Sequence, residues 1–133
     1  MTPAEAFAVI PLAAVCADHR LQPEEADLIM KMLRGRSPYN EMDPVVFGTM
    51  VSGLLLALRD RRQALVEEAA AILSPEQQEK AFALAVRLVH ADRIATQEEV
   101  NLLTDLSCAL SVPPERLEEI EASIALLSQD IPK

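Results

Sequence analysis

The chain has no tryptophan, one tyrosine and three phenylalanines in 133 residues. Aromatic platforms for stacking nucleic-acid bases are therefore scarce, and a core has to be built from Leu, Ala, Val, Ile and Met. Glycine occurs three times, with no glycine-rich phosphate loop. Cys16 and Cys108 are isolated thiols in helical patterns, without CxxC or CxxH spacing, so neither a disulfide framework nor a zinc site is indicated. Basic residues are also few: 12 Lys and Arg against 21 Asp and Glu leave a formal charge of -9. Because nucleic-acid affinity rests on Lys and Arg neutralising phosphates, this balance argues against DNA or RNA and favours cations, basic peptides or basic protein faces.

Half of the chain is apolar, enough for one domain over residues 1–133 to bury a core without a metal or disulfides. The apolar stretch Ala6 to Ala17 lacks a basic leading region, follows Glu5 and contains Pro11. It does not read as an export signal, and with two free thiols the expected compartment is a reducing cytoplasm. Lys31, Arg34, Arg36, Arg59, Arg61 and Arg62 make the middle locally positive. That polarity leaves peripheral association with an anionic surface open, although solvated helix ends account for it as well.

Helix start signals recur along the whole chain, and no segment alternates as a strand does. Thr2-Pro3-Ala4-Glu5 reads as a capping box for a helix to about Cys16, kinked at Pro11. Pro23 opens a second helix to about Arg34, Asp43-Pro44 a third through Leu58, and a fourth covers Arg61 to Leu73. The third is apolar over much of its circumference, which predicts a buried central helix. Gly48, Ser52 and Gly53 there would let a neighbouring backbone approach closely. Ser74-Pro75-Glu76-Gln77 caps a fifth helix to about Ala91, Thr96-Gln97-Glu98-Glu99 a sixth to about Leu110, and Pro113-Pro114-Glu115 starts the last. The expected fold is an all-α, single-domain bundle of about seven helices.

One motif occurs twice. Val15-Cys16-Ala17-Asp18, Glu24-Glu25 and Leu28 return 74 residues later as Val89-His90-Ala91-Asp92, Glu98-Glu99 and Leu102. A duplicated half-domain, with halves near residues 3–58 and 75–128, is the simplest explanation. Asp18 with Glu25, and Asp92 with Glu99, connect a helix end to the third position of the next helix. Carboxylates so placed can converge on a hard cation such as Ca²⁺ or Mg²⁺. They can equally serve as caps that complement the helix dipole, and Glu24 and Glu98 are candidate partner contacts.

These residues resemble the paired Ala-Asp-Gly-x-x-x-x-x-Glu motifs of the TerB-like family, named for tellurite resistance. The likeness covers nearly the whole chain, including the terminal Pro114-Glu115-Arg116-Leu117-Glu118-Glu119-Ile120 helix. It implies an all-α domain with an internal pseudo-twofold relation, similar to one in the membrane-associated co-chaperone DjlA. It also implies a cation or partner site at the acidic positions. The family glycine after the aspartate is His19 in the first motif and Arg93 in the second, which disfavours a tight loop around an ion and favours an electrostatic protein-binding face.

Three function classes follow. The favoured one is a non-enzymatic interaction module, cation-dependent or not, in a metal or tellurite stress setting, with homodimerisation open. A hydrolase would use Asp18, Glu25, Asp92 and Glu99 to hold metals, with His19 or His90 as base; no nucleophile elbow or HExxH motif accompanies them. A carrier of apolar ligands would draw on Met30, Met32, Met42 and Met50, which at helical spacing also read as core filler.

Overall fold

A computed structural model describes residues 1–15, 23–89 and 97–127, with side-chain environments over 1–15, 27–89 and 101–124. Six α-helices form in chain order: α1 (Pro3–Val15), α2 (Pro23–Arg34), α3 (Pro44–Ile72), α4 (Pro75–Val89), α5 (Gln97–Ala109) and α6 (Pro114–Leu127). A short 3₁₀ turn, Tyr39–Glu41, lies between α2 and α3. The fold is all-α, and no strand occurs among the described residues.

The helix starts follow the sequence signals. Thr2 and Glu5 close a reciprocal capping box: the Thr2 N–H donates to Glu5 Oε1 at 3.0 Å and the Glu5 N–H to Thr2 Oγ1 at 3.2 Å. The backbone bond from Thr2 holds the Glu5 carboxyl below its ordinary range. Ser74 and Gln77 repeat the device at 2.9 and 3.2 Å, and Asp43 accepts the Val45 N–H at 2.8 Å with Pro44 in the first turn.

The expected division near Leu58 is kept, whereas the expected central helix is corrected. The helices expected through Leu58 and from Arg61 are both present: the 29-residue run Pro44–Ile72 is two helices joined across a kink at Arg61, whose φ of -148° and ψ of 54° leave the helical region. Among the described residues there are six helical runs, the third of them kinked, where about seven helices were expected. Length no longer bars α3 from spanning a bilayer, but Arg59, Asp60, Arg61 and Arg62 fall in its middle, and no described helix is long and apolar enough to cross a membrane.

The central helix is α1, not the segment Pro44–Leu58. In α1, Ala6 and every residue from Ala8 to Val15 are buried, and it packs against α3, α4, α5 and α2. Its one charged residue is Glu5 in the first turn, so no face needs water. Pro11 removes one intrahelical hydrogen bond, yet the helix continues to Val15 with Pro11 in the core. In α3, Phe47, Val51, Leu54 and Leu58 face the core, while Val45, Val46 and Leu56 face solvent. The close-approach reading of Gly48 and Gly53 also finds no neighbour among the described residues, where a Cβ at either would meet nothing within 4 Å.

Two polar fixtures tie the helices together. Gln78, the one buried polar side chain among the described residues, donates through Nε2 to the carbonyls of Ala70 (2.9 Å) and Leu73 (3.1 Å) and accepts the Ser111 N–H at 2.6 Å. Arg34 Nη1 donates to the carbonyls of Tyr39 (2.7 Å) and Met42 (2.8 Å) and stacks 5.2 Å from the Phe47 ring. Tyr39 meets Phe47 edge-on and donates its hydroxyl proton to the Ala4 carbonyl, and burial pushes its phenol above the ordinary range.

Candidate functional site

The course of the chain places the helix ends that precede the two motif junctions, Val15 and Val89, at one end of the α1–α4 pair. The second half of α3 runs from Arg62, whose Nη1 donates to the Ala13 carbonyl at 2.6 Å, to Leu73, which shares a depression with Pro3, Ala4 and Phe7. It is therefore antiparallel to α1. The capped turn at Ser74 reverses the chain into α4, whose Gln77 and Lys80 border the same depression, so α4 runs alongside α1 in the same sense. Val15 and Val89, where the two helices end, consequently lie at the same end of the pair.

Helix bounds keep the motif spacing: α1 ends at Val15 and α4 at Val89, α2 begins at Pro23 and α5 at Gln97, each 74 residues apart. Several matched positions share environments. Asp27 and Asn101 are exposed, Leu28 and Leu102 half-buried, Ile29 and Leu103 buried, Lys31 and Asp105 exposed. In the preceding helices Ile10 and Leu84, Leu12 and Val86, and Val15 and Val89 are all buried. The pattern departs at Ala6 and Ala13, buried, against Lys80 and Arg87, exposed, at Met30, half-buried, against exposed Thr104, at Met32, half-buried, against buried Leu106, and at Leu33, buried, against half-buried Ser107, among others.

Of the expected site residues, Asp18 and Asp92 lie outside the described residues, as do Cys16, His19, His90 and Arg93. Glu24, Glu25, Glu98 and Glu99 stand at the second and third positions of α2 and α5, with their side chains outside the described set. Carboxylates in a first turn complement the positive end of the helix dipole. The donor set is hard oxygen, which suits Ca²⁺ or Mg²⁺, with Arg93 adding a cation to the second motif. Among the described residues no three His, Cys, Asp or Glu side chains gather into a metal-holding group.

Arg62 is the residue that sequence reasoning did not single out. The Ala13 carbonyl belongs to the last turn of α1, where four carbonyls lack intrahelical partners, and a guanidinium there satisfies one and complements the negative dipole end. The bond thus fixes the α1 terminus just ahead of the first acidic segment. Arg62 also borders a cleft of about 250 Å³ between α1, α3 and α5, together with Ala13, Val66, Glu67, Asp105 and the exposed Cys108. Its only sequence signal was membership of the basic run Arg59 to Arg62.

The methionines invoked for an apolar carrier, Met30, Met32, Met42 and Met50, are half-buried and packed against the core, and none lines this cleft or the depression beside Pro3. No family model, curated protein or solved structure matches the chain.

Proposed function

We propose that this chain is a non-enzymatic interaction module of TerB-like type, acting in the cytoplasm in metal or tellurite stress. Its two acidic junctions form one contact surface for the basic face of a partner protein. Asp18, Glu25, Asp92 and Glu99 supply the carboxylates, with Glu24 and Glu98 beside them, and Ca²⁺ or Mg²⁺ can be held between the pairs.

The observation that carries this reading is the parallel course of α1 and α4, which brings Val15 and Val89 to one end of the bundle. Two negatively charged segments leaving from one end repel each other, and a cationic surface or a bound cation relieves that repulsion. The 74-residue spacing of helix ends and the matched burial of Ile29 with Leu103 support a common architecture for the two junctions.

Calorimetric titration of metal-stripped protein with Ca²⁺ and Mg²⁺, with Mn²⁺ and Zn²⁺ as comparisons, tests the cation clause. Saturable binding that disappears in the Asp18→Asn, Asp92→Asn double variant is the expected result. Absence of binding at millimolar ion removes that clause and leaves a purely electrostatic protein contact.

A further inference from the structure

The outward face of the first half of α3, Pro44–Leu58, carries no charge and is self-complementary in size, and we infer that it joins a second copy of this chain in an antiparallel, two-fold symmetric helix pair. This surface is separate from the acidic junctions and does not rest on their proposed role.

In the first half of α3, Phe47, Val51, Leu54 and Leu58 form the inward stripe. Val45, Thr49, Ser52 and Leu56 repeat that spacing on the opposite side, all exposed, with Val45 at 75% and Leu56 at 55%. A stripe of this period is what a helix buries against another helix. The sequence Val45-Val46-Phe47-Gly48-Thr49-Met50 mirrors Val51-Ser52-Gly53-Leu54-Leu55-Leu56 in size when read backwards. Two antiparallel copies centred between Met50 and Val51 therefore set Val45 against Leu56 and Thr49 against Ser52, with Gly48 and Gly53 on the two flanks of the stripe. Large residues close the two ends and small ones let the backbones approach in the middle, the requirement of an isologous contact.

The glycines are not explained within one copy. A side chain at Gly48 or Gly53 would meet nothing within 4 Å, and glycine in a helix interior costs about 1 kcal/mol relative to alanine. Close approach by an external backbone accounts for both.

Charge selects the same partner and the same orientation. The chain carries -9 overall, yet no charged residue lies between Pro44 and Leu58, so two copies can meet here without like charges facing. Glu41 and Asp43 stand at one end of the stripe and Arg59 at the other. The antiparallel register brings Arg59 of one copy opposite Met42, between the acids of its mate. Arg59 now pairs at 3.2 Å with Asp60, both side chains more than half exposed, and such a surface pair rearranges at little cost. About 17 Å of helix separates Val45 from Leu56. A contact of that length falls at the small end of specific interfaces, so the dimer should exchange, with a Kd of roughly 10–100 µM.

Sedimentation velocity on the full chain from about 5 µM to about 1 mM tests this range. A reversible monomer–dimer equilibrium is expected, with Leu56→Glu raising Kd at least about tenfold. Gly53→Leu separates close packing from general stickiness: it adds apolar surface on an open face, yet it should abolish the dimer while the helical circular dichroism persists. Arg59→Glu should weaken the dimer, and adding Glu41→Lys should restore it. A chain monomeric throughout the range overturns the inference. So does a dimer unaffected by Leu56→Glu, or one strengthened by Gly53→Leu.

Discussion

The Gln78 side-chain oxygen accepts the Ser111 backbone N–H at 2.6 Å, while its nitrogen holds the carbonyls of Ala70 and Leu73. One amide therefore joins the turn from α3 into α4 to the turn from α5 into α6. Gln78→Leu keeps the volume and strips all three bonds, leaving buried carbonyls without a donor. We expect a loss of about 2–4 kcal/mol, read as a lower urea midpoint with an unchanged slope.

Tyr39 makes alkaline stability readable. An unfolded chain releases the phenolic proton near the ordinary value of 10.0, whereas burial makes the folded chain retain it to higher pH. The folded state then holds more protons than the unfolded one, so stability is level below pH 10 and falls as pH rises above it. As the chain has one tyrosine, tyrosinate absorbance reports this group alone. Tyr39→Phe should remove the alkaline slope and cost about 1 kcal/mol at neutral pH through the lost bond to Ala4.

At the acid side, Glu5 works in the opposite sense. Its carboxyl, held below 4.5 by the Thr2 N–H, contributes stability that is present above that value and is lost as pH falls through the folded pKa. Glu5→Gln should flatten this dependence. Thr2→Ala and Ser74→Ala should each cost about 1 kcal/mol by thermal or urea unfolding, since each removes a cap that orders the first turn of a core helix.

What was legible in the sequence were local rules. Thr2, Asp43 and Ser74 identified their helix starts because capping chemistry lies within three residues of itself. The position of α3 was misread because an apolar circumference was taken as burial, whereas Val45, Val46 and Leu56 face outward. The division between Leu58 and Arg61 was legible as well, although no proline or glycine stands at the kink. Gln78 and Arg62 looked like ordinary polar residues; the Ser111 partner of Gln78 is 33 residues away and the Ala13 partner of Arg62 is 49, beyond any local pattern. The acidic motifs could be found by their spacing, and the helix bounds keep it, but the meeting of carboxylates depends on the relative course of α1 and α4, which spacing does not encode.

Arg62 couples stability to the junctions. Arg62→Met should cost about 1–2 kcal/mol by leaving the Ala13 carbonyl without its charged donor, and Arg62→Lys should recover part of that. Because Arg62 sets a positive charge at the end of α1, from which the first acidic segment continues in sequence, the Met variant should also bind a lysine-rich peptide more tightly than the parent chain, measured by calorimetry at low salt.

The most direct test of the proposed module is an NMR titration of the full chain with a lysine-rich peptide, alone and with Ca²⁺, repeated on the Asp18→Asn, Asp92→Asn variant. The account predicts amide shifts concentrated together at residues 16–25 and 90–99, fading as salt is raised and much reduced in the variant. Shifts spread over the acidic surface at large, confined to one junction, or unchanged in the variant would contradict it.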